Sequence, residues 1–172
     1  MKIAIVGSRR YENKKKIKDF IFKLKNEYGT NTIIVSGGCK QGTDKYAKKY
    51  ALELGLQYEE YPPFHDVHNL FCPLPESRYS KPYSVKYFFA RNKIIAGTSD
   101  VIVAFIPEAV EANGTNNVLE YAKKFDKKRI IINWFFILYI FIYEYTTNTM
   151  ENGYDKFKIN FCENNWRIIQ WF

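Results

Sequence analysis

Residues 32–55, TIIVSGGCKQGTDKYAKKYALELG, constrain this chain more than any other stretch. The β-branched run Ile33, Ile34 and Val35 stops at Ser36-Gly37-Gly38. Three residues later, Gly42-Thr43-Asp44 opens a helical pattern. A strand that enters a helix through a glycine-rich turn leaves backbone N–H groups at the positive end of the helix dipole. A phosphate or carboxylate binds there without needing a cationic side chain. The same junction recurs at Gly7-Ser8-Arg9 and at Gly114-Thr115. Three such turns point to a nucleotide-type ligand.

The surrounding pattern alternates apolar strands with amphipathic helices. Strands are expected at 2–6, 32–35, 56–61, 100–107 and 129–133. Helical spacing places Ile17, Phe20, Ile21, Leu24 and Tyr28 on one face of a first helix. A second helix aligns Ala47, Tyr50, Ala51 and Leu54. A third, over about 84–97, puts Val85, Phe88, Phe89, Asn92 and Ala96 toward the sheet, and a fourth aligns Val118, Tyr121, Ala122 and Phe125. Near-continuous apolar strands require a parallel sheet covered by helices on both faces. The expected strand order is 3-2-1-4-5, with the ligand crevice at the switch between the first and fourth strands. Residues 62–82 hold five of the six prolines and form a long loop. Residues 1–133 thus read as one domain. Residues 134–172 read as an appended aromatic, strand-like hairpin element, turning at Asn152-Gly153, that covers the core or mediates homo-oligomer contact.

Composition excludes several classes. With 47% hydrophobic and 18% aromatic residues, the chain is not intrinsically disordered. Three cysteines at scattered spacings fit a reducing, cytoplasmic compartment and no disulfide framework. The chain enters its first strand at once, so no signal peptide is expected. The apolar run 130–143 is too short for a membrane-spanning helix, which needs about 20 residues, so no membrane association is expected. A net charge of +8 leaves nucleic acid open as a partner. Much of that charge is lysine on helix faces, where it serves solvation first.

The turns fit neither a P-loop nor a G-x-G-x-x-G fingerprint. Asn92 falls on the sheet-facing side of its helix, where an unpaired amide costs about 1–3 kcal/mol, so it bonds either backbone or ligand. Arg91 beside it offers a planar donor fork for phosphate or carboxylate. The expected ligand-binding set is Gly7, Ser8, Arg9, Gly37, Gly38, Gly42, Thr43, Asp44, Arg91, Asn92, Gly114 and Thr115. No cofactor and no metal are expected, since His65, Asp66, His68 and Cys72 fit no standard zinc spacing. Tyr79, Tyr83 and Tyr87 recur every four residues, which fits packing or base stacking. Cys39 lies near a helix N-terminus and lacks a paired general base.

The ordered segments GSRRY (7–11), VSGGCKQGTDKYAKKYA (35–51), RNKIIAGTSDVIVAF (91–105) and GTNNVLEYAKK (114–124) resemble the SLOG superfamily. The branch they resemble is the YspA-like one, related to DNA-processing protein A and the lonely-guy proteins, and the likeness runs over residues 1–133. It implies a Rossmann-like fold that binds a nucleotide or an ADP-ribose-like ligand, as a sensor or sequestering protein. Lonely-guy enzymes hydrolyse the N-glycosidic bond of nucleoside 5'-monophosphates with an arginine and a glutamate. Arg91 matches the arginine, but Val118 stands where the glutamate belongs. Glu120 is displaced around the helix, and Glu111 in the preceding loop is the nearest substitute. Two alternatives therefore stand beside nucleotide binding: phosphoribohydrolase activity, and single-stranded DNA binding as in the DNA-processing relatives.

Overall fold

The computed structural model describes residues 1–107 and 112–132. Five parallel strands form one sheet in the order β3-β2-β1-β4-β5. The strands are β1 (Lys2–Gly7), β2 (Ile33–Ser36), β3 (Gln57–Glu60), β4 (Val101–Phe105) and β5 (Lys128–Ile132). Four helices connect them: α1 (Lys14–Tyr28), α2 (Gly42–Glu53), α3 (Lys86–Thr98) and α4 (Asn113–Lys124). Ile3 pairs with Ile34 on one side and Val101 on the other, and Val103 pairs with Ile130. The strand order and the alternation of strand and helix are those the periodicity predicts.

Alternation along β1 divides the core in two. Ile3 and Ile5 join Ile34, Val103 and Phe105 beneath α1 and α2. Ala4 and Val6 join Val35, Ile102 and Ala104 beneath α3 and α4. Residues of the central strands β1 and β4 are therefore buried on one face or the other, which explains why these strands read as unbroken apolar runs. Asn13 caps α1, its Oδ1 accepting from the Lys16 N–H at 3.0 Å. Tyr28, expected in the buried stripe of α1, is exposed at the helix end.

The sheet face of α3 differs from expectation. Asn92, Ile95 and Ala96 are its buried residues, whereas Val85 and Phe89 are about half exposed. Ile95 and Ala96 already cover the sheet together with α4, so the apolar residues one turn earlier face elsewhere. The long loop 62–82 is held to β3 by a polar knot. Buried Glu60 accepts from Tyr58 Oη, Lys48 Nζ and Asn69 Nδ2, and the Glu60 N–H donates to the Phe71 carbonyl. Among the described residues no helix is long and apolar enough to cross a membrane. The expected appended element at 134–172 and the candidate Glu111 lie outside the described residues.

Candidate functional site

Parallel strands put all their carboxyl ends at one edge, and the switch from β1 to β4 opens a cleft there. Its volume is about 850 Å³, in the range of small-molecule sites. Four segments line it: the turn after β1, the turn after β2, the start of α3 with the residues before it, and the N-terminus of α4. Of the twelve residues expected at a site, Gly7, Ser8, Arg9, Gly37, Asp44, Arg91, Asn92, Gly114 and Thr115 line this cleft.

The other three do not. Gly38 packs toward Glu60 and Pro62, with φ +73. Gly42 has φ +61, and a Cβ there would strike the carbonyls of Ser8 and Arg9. Thr43 is fully buried; its N–H and hydroxyl both donate to the Ser8 carbonyl, at 3.2 and 3.4 Å. Gly42 and Thr43 clamp α2 onto the β1 turn, and Gly38 sits beside β3. Ser8 belongs partly to the same clamp, since its N–H donates to the Phe105 carbonyl at 3.3 Å and its Oγ accepts from the Arg10 N–H at 3.1 Å.

The N-terminus of α4 is built differently. Ala112 offers no side-chain cap, and among the described residues nothing lies within 4 Å of where a Gly114 Cβ would sit. Asn92 fixes this turn from below, its Nδ2 donating to the Gly114 carbonyl at 3.3 Å and to Asn117 Oδ1 at 3.0 Å. Asn92 thus lines the cleft while its amide hydrogens are spent on α4.

Arg91 dominates the electrostatics. Its guanidinium lies flat against Gly37, and a Cβ on Gly37 would overlap Nη1. Only glycine lets the fork sit there. The Arg91 Nε is shut off from solvent and has no hydrogen-bond partner among the described residues. Burial lowers the Arg91 pKa from its ordinary value, and the Asp44 charge opposes that shift. Asp44 is buried, which raises its pKa; Arg91 and the Cys39 N–H, donating to Oδ2 at 3.1 Å, oppose the rise. Arg9 and Arg10 also line the cleft, and the Arg9 charge, like that of Arg91, acts on Asp44. The site attracts anions.

Several lining residues have no place in the set read from sequence: Arg10, Cys39, Tyr83, Val85, Phe88 and Phe89. The signal for the apolar ones was the excess of large side chains on α3 beyond what the sheet can cover. His65 stacks among Tyr83, Tyr87 and Phe88. Among the described residues no group of three or more His, Cys, Asp and Glu side chains is placed to hold a metal ion. Glu120 is exposed and does not line the cleft. The helix lysines are engaged at the surface, Lys15 with Asp19 and Lys18 with Glu53.

The fold and the site together define a Rossmann-like α/β domain with an anion-attracting, aromatic-edged cleft at its switch point. A family model described as YAcAr, YspA, cpYpsA-related SLOG family matches residues 1–68. No curated protein sequence matches the chain. Among solved structures, the chain is similar to the molybdenum cofactor binding protein from the phototrophic bacterium Rippkaea orientalis. The TM-score is 0.57 at 19% identity, covering 86% of this chain and 85% of that one. It is also similar to the molybdenum cofactor carrier protein of Chlamydomonas reinhardtii, with TM-score 0.55, 21% identity, and coverage of 86% and 83%. A second structure of the Chlamydomonas reinhardtii carrier protein gives TM-score 0.52 at 19% identity, covering 77% and 76%. At this identity the likeness establishes a shared fold.

These findings correct the expectation drawn from the resemblance. The likeness to the YspA-like branch was read over residues 1–133, but the family model stops at residue 68. The solved structures that share the fold over most of the chain are named for a molybdenum cofactor. The readings as a nucleotide or ADP-ribose sensor, as an N-glycosidic hydrolase and as a single-stranded DNA binder are corrected with it. The site agrees in one respect: Asp44 is the only carboxylate among the described cleft residues.

Proposed function

We propose that this chain binds a molybdenum cofactor in the cleft between β1 and β4 and holds it as cargo. The cofactor is a reduced pyranopterin that carries a phosphate and a dithiolene-bound oxomolybdenum group, so it offers one flat pyrimidinone ring and several anionic groups. The proteins whose fold the chain shares are named for binding or carrying that group. The observation that carries the reading is the Arg91 guanidinium, held against Gly37 in the cleft with a solvent-excluded Nε that lacks a partner among the described residues. A fork held rigid and under-satisfied is prepared for an anion. Arg9 and Arg10 add charge, and the open first turn of α4 at Gly114 and Thr115 adds backbone donors.

Melting temperature measured anaerobically with added molybdenum cofactor tests this. Ligand at about 100 times its dissociation constant stabilises a protein by about 2.7 kcal/mol. The expected result is a clear upward shift with the cofactor and a smaller one with AMP or ADP-ribose. A shift with AMP or ADP-ribose and none with the cofactor contradicts the proposal.

A further inference from the structure

One part of the cleft has no role in anion binding. Tyr83, Val85 and Phe89 are 72%, 55% and 49% exposed, and all three line the cleft with Phe88. Other exposed apolar residues, such as Val67 and Leu70 on the long loop, do not line it. Grouped exposed apolar surface at the edge of a polar cavity marks a binding surface.

The rings in this group are braced. His65 lies 4.7 Å from the Tyr83 ring and 5.2 Å from the Phe88 ring, centroid to centroid. Phe64 contacts both Tyr79, at 5.9 Å, and Tyr87, at 5.5 Å. Glu60 in turn fastens the loop that carries Phe64 and His65, through Asn69 and the Phe71 carbonyl. Tyr83 therefore lines the cleft, largely exposed, with its ring packed against His65. A fixed aromatic face next to fixed cations suits a ligand that is flat at one end and charged at the other.

We infer that the segment Tyr83–Phe89 is a stacking seat for a planar nitrogen heterocycle, which orients the ligand by its ring while the arginine side of the cleft takes its anionic groups. This rests on the proposed function for the ligand's identity, but the seat itself recognises any flat conjugated ring of pterin size. It also accounts for the departure of α3 from the expected burial pattern. Val85 and Phe89 fall on the stripe read as sheet-facing, yet the structure turns them to the cleft.

The test uses the full chain and 6-hydroxymethylpterin, which has the ring but neither phosphate nor metal, and follows quenching of pterin fluorescence. Wild type is expected to quench saturably. Phe89→Ala and Tyr83→Ala are expected to weaken binding at least about fivefold, as loss of ring stacking does, while Phe89→Tyr retains it. Both positions are exposed, and a melting curve for each variant verifies folding. The same variants are then titrated with molybdenum cofactor. Cofactor binding by wild type with pterin and cofactor affinity unchanged in Phe89→Ala and Tyr83→Ala overturns the stacking seat alone. Pterin binding that depends on Phe89, with no binding of the cofactor, upholds the seat and overturns the proposed ligand. Wild type that binds neither overturns both.

Discussion

Two helices of this molecule carry a Gly-Thr pair in their first turn, Gly42-Thr43 in α2 and Gly114-Thr115 in α4, and the pairs have opposite fates. At α2 the positive end of the helix is spent inside the protein. The Thr43 N–H and hydroxyl go to the Ser8 carbonyl, and Gly42 is pressed against the backbone of Ser8 and Arg9. At α4 the first turn has no side-chain cap, and Gly114 faces open space in the cleft. The same sequence signal therefore supplies a clamp in one place and part of the cleft lining in the other. A glycine-rich turn offers donors, but tertiary packing decides who receives them.

The sharpest way to break this comparison is to add one methyl group at each glycine. Gly42→Ala forces a residue with a side chain to φ +61 and drives its Cβ into two carbonyls. It is expected to cost about 2–4 kcal/mol, read as a large fall in melting temperature. Gly114→Ala meets nothing, and alanine favours a helix over glycine by up to about 1 kcal/mol, so stability is expected to hold or rise. Its affinity for the cofactor is expected to fall, because the methyl stands in the cleft. Equal stability in the two variants would mean that both turns do the same work.

A second change attacks the support of the open turn. Asn92→Ala removes two hydrogen bonds to α4 from a buried position, with an expected cost of about 1–3 kcal/mol. Stability and cofactor affinity should fall together in melting and binding measurements. A loss of affinity at full stability would instead make Asn92 a direct ligand contact.

Charge in the cleft gives a pH test. Burial raises the folded pKa of Asp44 above its ordinary 3.8, so the folded state holds a proton that the unfolded chain has released. The stability this contributes is fully present below pH 3.8 and is lost as pH rises through the folded value. Asp44→Asn should remove that part of the pH dependence and leave a protein whose stability falls less over this rise. An unchanged profile would show that Asp44 titrates normally. Lys15→Ala is the smallest effect expected. It breaks only an exposed i,i+4 pair with Asp19, and should change stability by less than about 0.5 kcal/mol and affinity not at all.

Much of this was legible in the sequence, for reasons visible in particular residues. Strands such as Ile3–Val6 and Val101–Phe105 are buried on both faces, so their apolar runs and order could be read directly. Gly7, Gly37 and Gly114 could be read as neighbours because parallel topology brings strand ends together. The clamp at Thr43 was hidden because its partner, Ser8, is 35 residues away. The aromatic seat was hidden because helical spacing puts Phe89 on the stripe with Asn92, and only packing shows that Ile95 and Ala96 suffice beneath. The family resemblance carried the fold but misled on function, since the glycine turns and the arginine are common to ligands with very different rings.

The most direct test of the central claim is equilibrium dialysis of molybdenum cofactor against wild type and Arg91→Ala, each verified as folded by melting at the assay pH. Wild type should retain the cofactor. Loss of a charge-assisted contact worth about 1.5–3 kcal/mol should weaken Arg91→Ala by about 10- to 150-fold. Equal retention by both proteins, or none by wild type, would contradict the assignment of this cleft as the cofactor site.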